Sequence, residues 1–212
     1  MPDELKKPQM RAIQYFYVDG TFEFSFGFLC LLLAIYFYLA AHVQGWLSAI
    51  LEASLVLVTI GGAVLVNQLI KRFKEHLTWP RTGYVSYQRK QGVQRGRGLA
   101  IGLVIGGVVG AVTTVLAMTQ DLQIAVMPLL SGFLFGMVMV FLGWRTSILR
   151  FYLLALLSAA LGVALAYSGL GDTVGLIAYY ASIAVVLIFT GTCVLRTFLR
   201  KNPMPKDSPD EQ

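Results

Sequence analysis

The sequence predicts an all-α, polytopic membrane protein: a bundle of six transmembrane helices with both termini in the cytoplasm. Of its 212 residues, 57% are hydrophobic and only 13% are charged, and the mean hydropathy is +0.69. Soluble domains carry about 25% charged residues. In addition, residues 122–144, 151–171 and 173–195 are free of charge, and each run reaches the roughly 20 residues that cross a bilayer as helix. The composition and these runs together indicate a membrane protein and leave little chain for a soluble domain.

The apolar runs predict six spans within one membrane domain, 1–212. The spans lie at 20–41, 46–70, 98–118, 124–144, 151–169 and 175–195. The predicted parts are a cytoplasmic tail (1–19), a first hairpin (20–70), a basic cytoplasmic loop (71–97), a second hairpin (98–144), a third hairpin (145–195) and a second tail (196–212).

The orientation follows from the 17 Lys and Arg residues. The links 42–45, 119–123 and 170–174 contain neither residue type, so every basic residue falls on the side of the two termini. Cytoplasmic loops carry the excess of Lys and Arg in membrane proteins. The termini and the loop 71–97 are therefore predicted to be cytoplasmic.

The loop 71–97 has a net charge of +7, from eight basic residues and one acidic residue, Glu75, whereas the whole chain has +6. In a soluble protein such a balance would suggest nucleic acid. Beside a membrane it favours anionic lipid headgroups. We therefore expect lipid, and no nucleic acid, as the partner of this loop.

Glycines recur at helical spacing in two spans. Residues at i and i+4 share a helix face, and small residues on that face let another backbone approach closely within a membrane. The face is predicted to serve packing within the chain, with a homodimer or another membrane protein as the alternative partner. The glycines are Gly98, Gly102, Gly106 and Gly110 in the third span, and Gly132 and Gly136 in the fourth.

Asp19 and Glu23 stand four residues apart at the start of the first span. Ionisable groups within a membrane are costly and are functional candidates for that reason. A simpler interpretation is a helix cap, because carboxylates are favoured at a helix N-terminus. Pairing with a basic loop residue and a substrate or proton site are the other two interpretations.

The loop segment Trp79-Pro80-Arg81-Thr82-Gly83-Tyr84-Val85 offers a partner for these acids. Pro80 disfavours a continuing helix and Gly83 permits a left-handed turn. Arg81 would then lie on the same side of the membrane as Asp19 and Glu23, where its guanidinium can bind carboxylates. We predict a cluster of Asp19, Glu23, Arg81 and Tyr84.

The segments Tyr17-Val18-Asp19-Gly20 with Glu23, and Thr78 to Val85, together resemble a group of small, multi-span bacterial membrane proteins of uncharacterised function. The likeness covers roughly the first 90 residues of the chain. It implies a bacterial origin, the inner (plasma) membrane and a multi-pass topology, and it implies no reaction.

Glu52 lies about two turns inside the second span, near the end that is predicted to face outward. His42 on the adjacent turn is a candidate partner, and Asn67 makes the inner end of the same span polar. Glu52 is predicted to occupy a local polar pocket, with a transport-coupled carboxylate as the alternative.

Motifs of enzymes and metal sites are missing from the sequence. No HExxH, Walker loop or CxxC occurs, and the two histidines belong to opposite membrane faces. We therefore predict neither cofactor nor metal, and a non-enzymatic accessory or scaffold subunit of a membrane assembly. The alternative is a small transporter or channel that uses Glu52 or the pair Asp19 and Glu23.

Overall fold

The structure is a computed structural model that describes residues 17–78 and 125–203. Within these residues the chain is helical and contains no strand. Five helices are long and apolar enough to cross a membrane. They are α1 (Thr21–His42), α2 (Trp46–Phe73), α3 (Val126–Thr146), α4 (Leu149–Ala166) and α5 (Gly171–Lys201), and α2 continues into a π-helical turn, Lys74–Thr78. The predicted span 98–118 lies outside the described residues.

The last helix differs most from its predicted span, 175–195. α5 has 31 residues and is about 46 Å long at 1.5 Å per residue, whereas the hydrocarbon core of a bilayer measures about 30 Å. It begins at Gly171, and Asp172 in its first turn accepts a hydrogen bond at Oδ1 from Met127 N of α3 at 2.9 Å. Its last turns carry Arg200 and Lys201 beyond the apolar part.

The most extensive helix contacts join α1 with α5 and α3 with α4. α1 and α5 are antiparallel, because Gly27 lies against Leu187 and Ile188 while the Phe37 ring stacks on Tyr180 at 5.5 Å further along both helices. α2 packs mainly on α1. Of these two pairs, α3 and α4 are consecutive in the sequence, whereas α1 and α5 are not.

The outer surface of the bundle is apolar, unlike that of a soluble protein. Buried side chains include Thr21, Ser25, Thr146 and Ser158, whereas many large apolar side chains on all five helices are exposed. Large exposed apolar surfaces are rare on soluble monomers. An apolar exterior around an interior that combines apolar side chains with small and hydrogen-bonded polar ones is typical of helices that pack in lipid.

Gly132 on α3 and Gly162 on α4 are the point of closest approach between those helices. A Cβ on Gly132 would lie 2.8 Å from the Gly162 Cα and 2.9 Å from the Ser158 carbonyl oxygen, distances that no side chain can occupy. Gly136 also faces α4, since its Cβ would lie 3.2 Å from the Ala155 oxygen. The glycines 98, 102, 106 and 110 lie outside the described residues, and their packing stays a prediction.

A buried hydrogen-bond network joins α3, α4 and α5 at mid-bundle. Ser158 Oγ lies 2.9 Å from the Gly132 carbonyl oxygen, to which it donates, and 2.7 Å from the Tyr179 hydroxyl. The Tyr179 hydroxyl also lies 3.2 Å from the Ser131 oxygen. Both side chains are fully buried, so the network satisfies hydroxyls that would otherwise be costly in an apolar core.

We expect Tyr179→Phe to lower the free energy of unfolding by about 0.5–1.5 kcal/mol, the usual net value of a hydrogen bond. Thermal unfolding in detergent measures the change. Tyr152→Phe is the matched control, because Tyr152 is partly exposed and contacts Gly143 through carbon atoms of its ring. The substitution keeps that ring. Equal effects of the two substitutions would contradict a stabilising role for the network.

The two ends of the bundle differ in charge. One end, here called the basic end, holds the start of α1, the π-helical turn after α2, the turn between α3 and α4, and the end of α5. At the opposite end Ala125 N donates to the Ala166 oxygen at 3.1 Å, just before α3 begins. Every Lys and Arg among the described residues lies at the basic end: Lys71, Arg72, Lys74, Arg145, Arg150, Arg196, Arg200 and Lys201.

Candidate functional site

The candidate site is built around the sharp turn that starts α1. Gly20 is the N-cap and has a left-handed φ of 75°, which costs glycine little because it has no Cβ. A Cβ at this position would also lie 2.8 Å from the Gly191 oxygen and from Val194 Cβ of α5. Glycine therefore serves both the turn and the close approach of α5. The turn directs Asp19 and Glu23 into the bundle.

Asp19 joins the start of α1 to the end of α2. Its Oδ2 lies 3.2 Å from Lys74 Nζ, and neither side chain is appreciably exposed. Its Oδ1 accepts hydrogen bonds from Thr21 N at 3.2 Å and Thr21 Oγ1 at 2.8 Å. The carboxylate thus satisfies an N-terminal amide of α1, as a capping side chain does, and binds a cation. Lys74 opens the π-helical turn, a geometry frequent at functional sites.

Glu23 joins α1 to the start of α4. Its Oε1 lies 2.7 Å from Arg150 Nε, and the Glu23 side chain is 1% exposed. The contact is an ion pair without the alignment of a hydrogen bond. The same guanidinium donates from its terminal nitrogens to the carbonyl oxygens of Tyr17 and Val18. Arg150 therefore connects α4 to both the acid and the backbone before α1.

Asp19, Glu23, Lys74 and Arg150 form what we call the ion-pair cluster. Removing isolated charges from water costs several kcal/mol per ion, and an opposite charge in contact offsets much of that cost. Each acid in this cluster has a base from a different helix. The cluster therefore fixes α1, α2 and α4 relative to one another at the basic end.

Aromatic rings pack beside the ion-pair cluster. Tyr17 meets Phe22 and Phe151 edge to face, with ring centroids 5.2 Å and 5.9 Å apart, and the Arg150 guanidinium lies 5.4 Å from the centre of the Phe151 ring. Burial raises the pKa of the Tyr17 hydroxyl above its usual value, the charge of Arg145 lowers it and that of Glu23 raises it. Tyr17 is therefore neutral at physiological pH, and its ring packs among the aromatic side chains beside the cluster.

Four buried side-chain atoms have no hydrogen-bond partner among the described residues, and two of them, Glu23 Oε1 and Arg150 Nε, face each other in the ion pair. The other two are Glu23 Oε2 and, two residues further along α1, Ser25 Oγ, on side chains that are 1% and 0% exposed. Unpaired buried polar groups are costly and call for a reason. A carboxylate oxygen in this position can accept a proton or a hydrogen bond, which is the chemistry that a proton-linked site would use.

The structure brings Asp19 and Glu23 to one site but pairs them with residues outside the predicted cluster. Arg81 and Tyr84 lie outside the described residues, so their part in the cluster stays a prediction. The sequence analysis did not predict Lys74 and Arg150 as partners of the acids. The positive-inside rule already explains basic residues beside a span as signals of topology, so they did not stand out as binding residues. Their position at the basic end, level with the start of α1, is the signal that would have identified them.

The other predicted polar residues lie apart from the ion-pair cluster. His42 is at the opposite end, where its Nδ1 lies 2.8 Å from the Tyr38 oxygen. Asn67 is exposed on α2. Glu52 belongs to α2, but its side chain is outside the description, so its proposed contact with His42 stays a prediction. Tyr36 bonds the nearby carbonyl of Leu51 and joins α1 to α2 there.

Metal-binding groups are not assembled in residues 17–78 and 125–203, where no group of three or more His, Cys, Asp or Glu occurs. Cys30 is buried and Cys193 is exposed, and both are free thiols.

Comparison of the chain with protein-family models, curated proteins and solved structures found no match in any of the three. The resemblance of the Asp-Gly and Pro-Arg-Thr-Gly-Tyr segments to small bacterial membrane proteins therefore stays a prediction.

Proposed function

We propose that the chain is a six-span protein of the bacterial inner membrane, with both termini in the cytoplasm, that acts as a non-enzymatic accessory or scaffold subunit of a membrane assembly. The observation that carries the proposal is the pairing of the described intramembrane acids with bases that tie helices together. Their charges serve the architecture of the bundle.

The ends of the described helices support the six-span topology. α2 and its π-helical turn finish at the basic end, because Lys74 binds Asp19 there. α3 starts at the opposite end, beside Ala166. The 46 residues 79–124 therefore join opposite ends of the bundle, and an odd number of crossings satisfies this connection. The apolar run 98–118 supplies one crossing.

A labelling experiment tests the orientation, with Lys90→Cys and Asp121→Cys in a background without Cys30 and Cys193. We expect an impermeant thiol reagent to label Asp121→Cys in intact cells and to label Lys90→Cys only after the cells are opened, because basic segments remain cytoplasmic. Labelling of Lys90→Cys from outside, with Asp121→Cys protected, would contradict the orientation.

A scaffold role is supported by what lies between the two ends of the bundle. The described mid-bundle interior consists of apolar and small side chains around a core that includes Met139, Ile183 and Leu187, together with the network of Ser158 and Tyr179. Intramembrane transport paths are marked by ionisable side chains. From residue 24 to 41, 53 to 70, 126 to 144, 151 to 166 and 173 to 195 the helices carry no Asp, Glu, Lys or Arg.

Deletion of the gene tests this role. A scaffold stabilises its partners by mass action, so we expect the abundance of at least one other membrane protein to fall several-fold in quantitative proteomics of isolated membranes. The wild-type chain should restore that protein, and a tagged chain should copurify with it in near-stoichiometric amount. Unchanged membrane proteins and no copurifying chain would contradict the proposal.

The second candidate function is proton-linked transport, which the unpartnered Glu23 Oε2 and Ser25 Oγ favour. It predicts flux in proteoliposomes that depends on a pH gradient and is lost in Glu23→Gln while the protein remains folded. Glu52→Gln tests the other carboxylate in the same assay. Flux that survives both substitutions would exclude these acids as transport groups.

A further inference from the structure

A narrow cleft lies at the basic end, where the residues before α1 meet the last turns of α5. Its volume is about 330 Å³. Its lining consists of apolar or small side chains and one base: Val18, Cys193, Val194, Thr197, Phe198 and Lys201. From Cys193 to Lys201 the cleft follows α5 for about 12 Å at 1.5 Å per residue. The cleft is therefore apolar toward the middle of the bundle and cationic at its outer end.

We propose that this cleft binds an anionic phospholipid, whose phosphate pairs with the Lys201 ammonium and whose acyl chain lies against Val18, Cys193 and Val194. The proposal requires that the bundle lies in a membrane. It depends neither on the scaffold role nor on the orientation of the termini.

The bases at the end of α5 have no carboxylate partner among the described residues. The acids of the basic end are already paired in three ion pairs: Asp19 with Lys74, Glu23 with Arg150 and Glu75 with Lys71. Arg196, Arg200 and Lys201 are exposed and follow one another within two turns of α5. Clustered bases at a membrane surface attract anionic lipids. The charge of this surface therefore favours an anionic occupant of the cleft.

A simpler role for Lys201 is to complement the dipole of α5, whose C-terminal end carries about half a negative elementary charge. Three bases exceed that charge several-fold. In addition, Asn202 already caps this end, because its backbone N and its Nδ2 both donate to the Phe198 oxygen at 3.0 Å. The helix end alone does not account for the bases.

The position of the cleft along α5 matches the two parts of a phospholipid. The charge-free segment of α5 ends at Leu195, so Cys193 lies at the edge of the hydrocarbon layer. Lys201 lies about 9 Å beyond Leu195 at helical rise, at the level of the headgroups. The acyl chain of a phospholipid in the cleft would thus contact the apolar lining and its phosphate would reach Lys201.

The polar groups of the lining leave Lys201 as the donor for a phosphate. Thr197 Oγ1 donates to the Cys193 carbonyl oxygen at 2.8 Å, so this hydroxyl hydrogen is used within α5. A lysine ammonium binds phosphate as a point charge. A volume of about 330 Å³ is at the lower end of the range of small-ligand pockets, so the cleft receives the phosphate and the first part of one acyl chain.

Native mass spectrometry of the full chain, purified in mild detergent, tests the proposal. The protein is given phosphatidylglycerol, which is anionic, or phosphatidylcholine with the same acyl chains, which has no net charge. We expect the wild-type chain to retain the anionic lipid several-fold more often. Lys201→Gln should lower this retention about fivefold, the usual contribution of one base beside an anionic lipid surface. Arg196→Gln removes the same charge outside the lining and should lower it less than twofold.

Filling the cleft tests the position of the acyl chain. Cys193→Phe adds a ring at an exposed position of the lining and should lower retention as much as Lys201→Gln. Val185→Phe is the matched control, because Val185 is 66% exposed on the same helix and lies outside the cleft. If Cys193→Phe does not fold, benzylmaleimide attached to Cys193 of the folded wild-type protein fills the cleft instead.

The natural thiols provide a second measurement. Cys193 is exposed and Cys30 is buried, so N-ethylmaleimide reacts mainly with Cys193. We expect phosphatidylglycerol to slow this reaction several-fold in the wild-type protein and to leave it unchanged in Lys201→Gln.

Four results would overturn the proposal. They are equal retention of the two lipids by the wild-type chain, equal losses in Lys201→Gln and Arg196→Gln, unchanged retention when the cleft is filled, and displacement of the lipid by excess glycerol phosphate, which would show a site for soluble phosphates. The cysteine labelling and the proteomics described above test the topology and the scaffold role independently, so loss of the lipid site would leave both standing.

Discussion

Replacing Arg150 with alanine is expected to lower the free energy of unfolding by about 3–5 kcal/mol, the cost of leaving one partner of a buried ion pair alone. Glu23 is 1% exposed and lies 2.7 Å from the Arg150 Nε, so the substitution leaves a carboxylate buried without its base. It also removes the donor to the carbonyl oxygens of Tyr17 and Val18. Thermal or denaturant unfolding of the purified protein in mild detergent measures the loss.

Two variants make this prediction specific. Arg196→Ala removes an exposed base of the same end and should change stability by no more than about 0.5 kcal/mol. The double variant Glu23→Gln/Arg150→Gln should be more stable than Arg150→Ala, because it leaves no uncompensated charge. A loss below about 1 kcal/mol in Arg150→Ala, the range of exposed pairs, would show that water reaches the pair.

Gly132→Leu is expected to separate α3 from α4 and to lower stability by about 3 kcal/mol or more, at or above the upper end of typical overpacking costs. The reason is that the new side chain would meet backbone, the Gly162 Cα and the Ser158 oxygen, which cannot rotate away as a side chain can. It would also displace the Gly132 carbonyl that Ser158 binds. The measurement is thermal unfolding together with the yield of folded protein on size-exclusion chromatography.

Phe133→Leu is the matched control for this substitution. Phe133 is adjacent in sequence and 56% exposed, so a leucine there remains on the outer face and should be nearly neutral. If Gly132→Leu kept wild-type stability, the close approach of α3 and α4 at Gly162 would be wrong.

Sequence reasoning predicted the helical class and the start of each described helix to within about four residues. It succeeded because the requirement for about 20 apolar residues per span and the need to satisfy every backbone group within lipid leave few alternatives. Where a predicted helix boundary differs from the observed one, the difference involves contacts of side chains. α5 starts at Gly171 and includes Asp172, which binds the backbone of Met127, and no hydropathy pattern records that contact.

The candidate site was predictable only in part. Asp19 and Glu23 stood out because carboxylates are rare within apolar segments. Their partners Lys74 and Arg150 come from two other helices, and pairing across helices depends on which helices are neighbours. Which helices are neighbours depends on close packing at small residues such as Gly20, Gly132 and Gly191. The spacing of glycines in the sequence indicates a face for close packing but does not show which helix packs against it.

The central claim is that the charges of Glu23 and Arg150 compensate each other within the bundle of a scaffold and do not act on a substrate. The most direct measurement places Glu23→Gln/Arg150→Gln in the deletion strain and follows the partner membrane protein by quantitative proteomics. The folded, membrane-inserted variant is expected to restore the partner to the wild-type level, because the neutral pair leaves no uncompensated charge and the helices keep their other contacts. Loss of the partner, or of growth that depends on it, in a variant with normal abundance and thermal stability would contradict the claim.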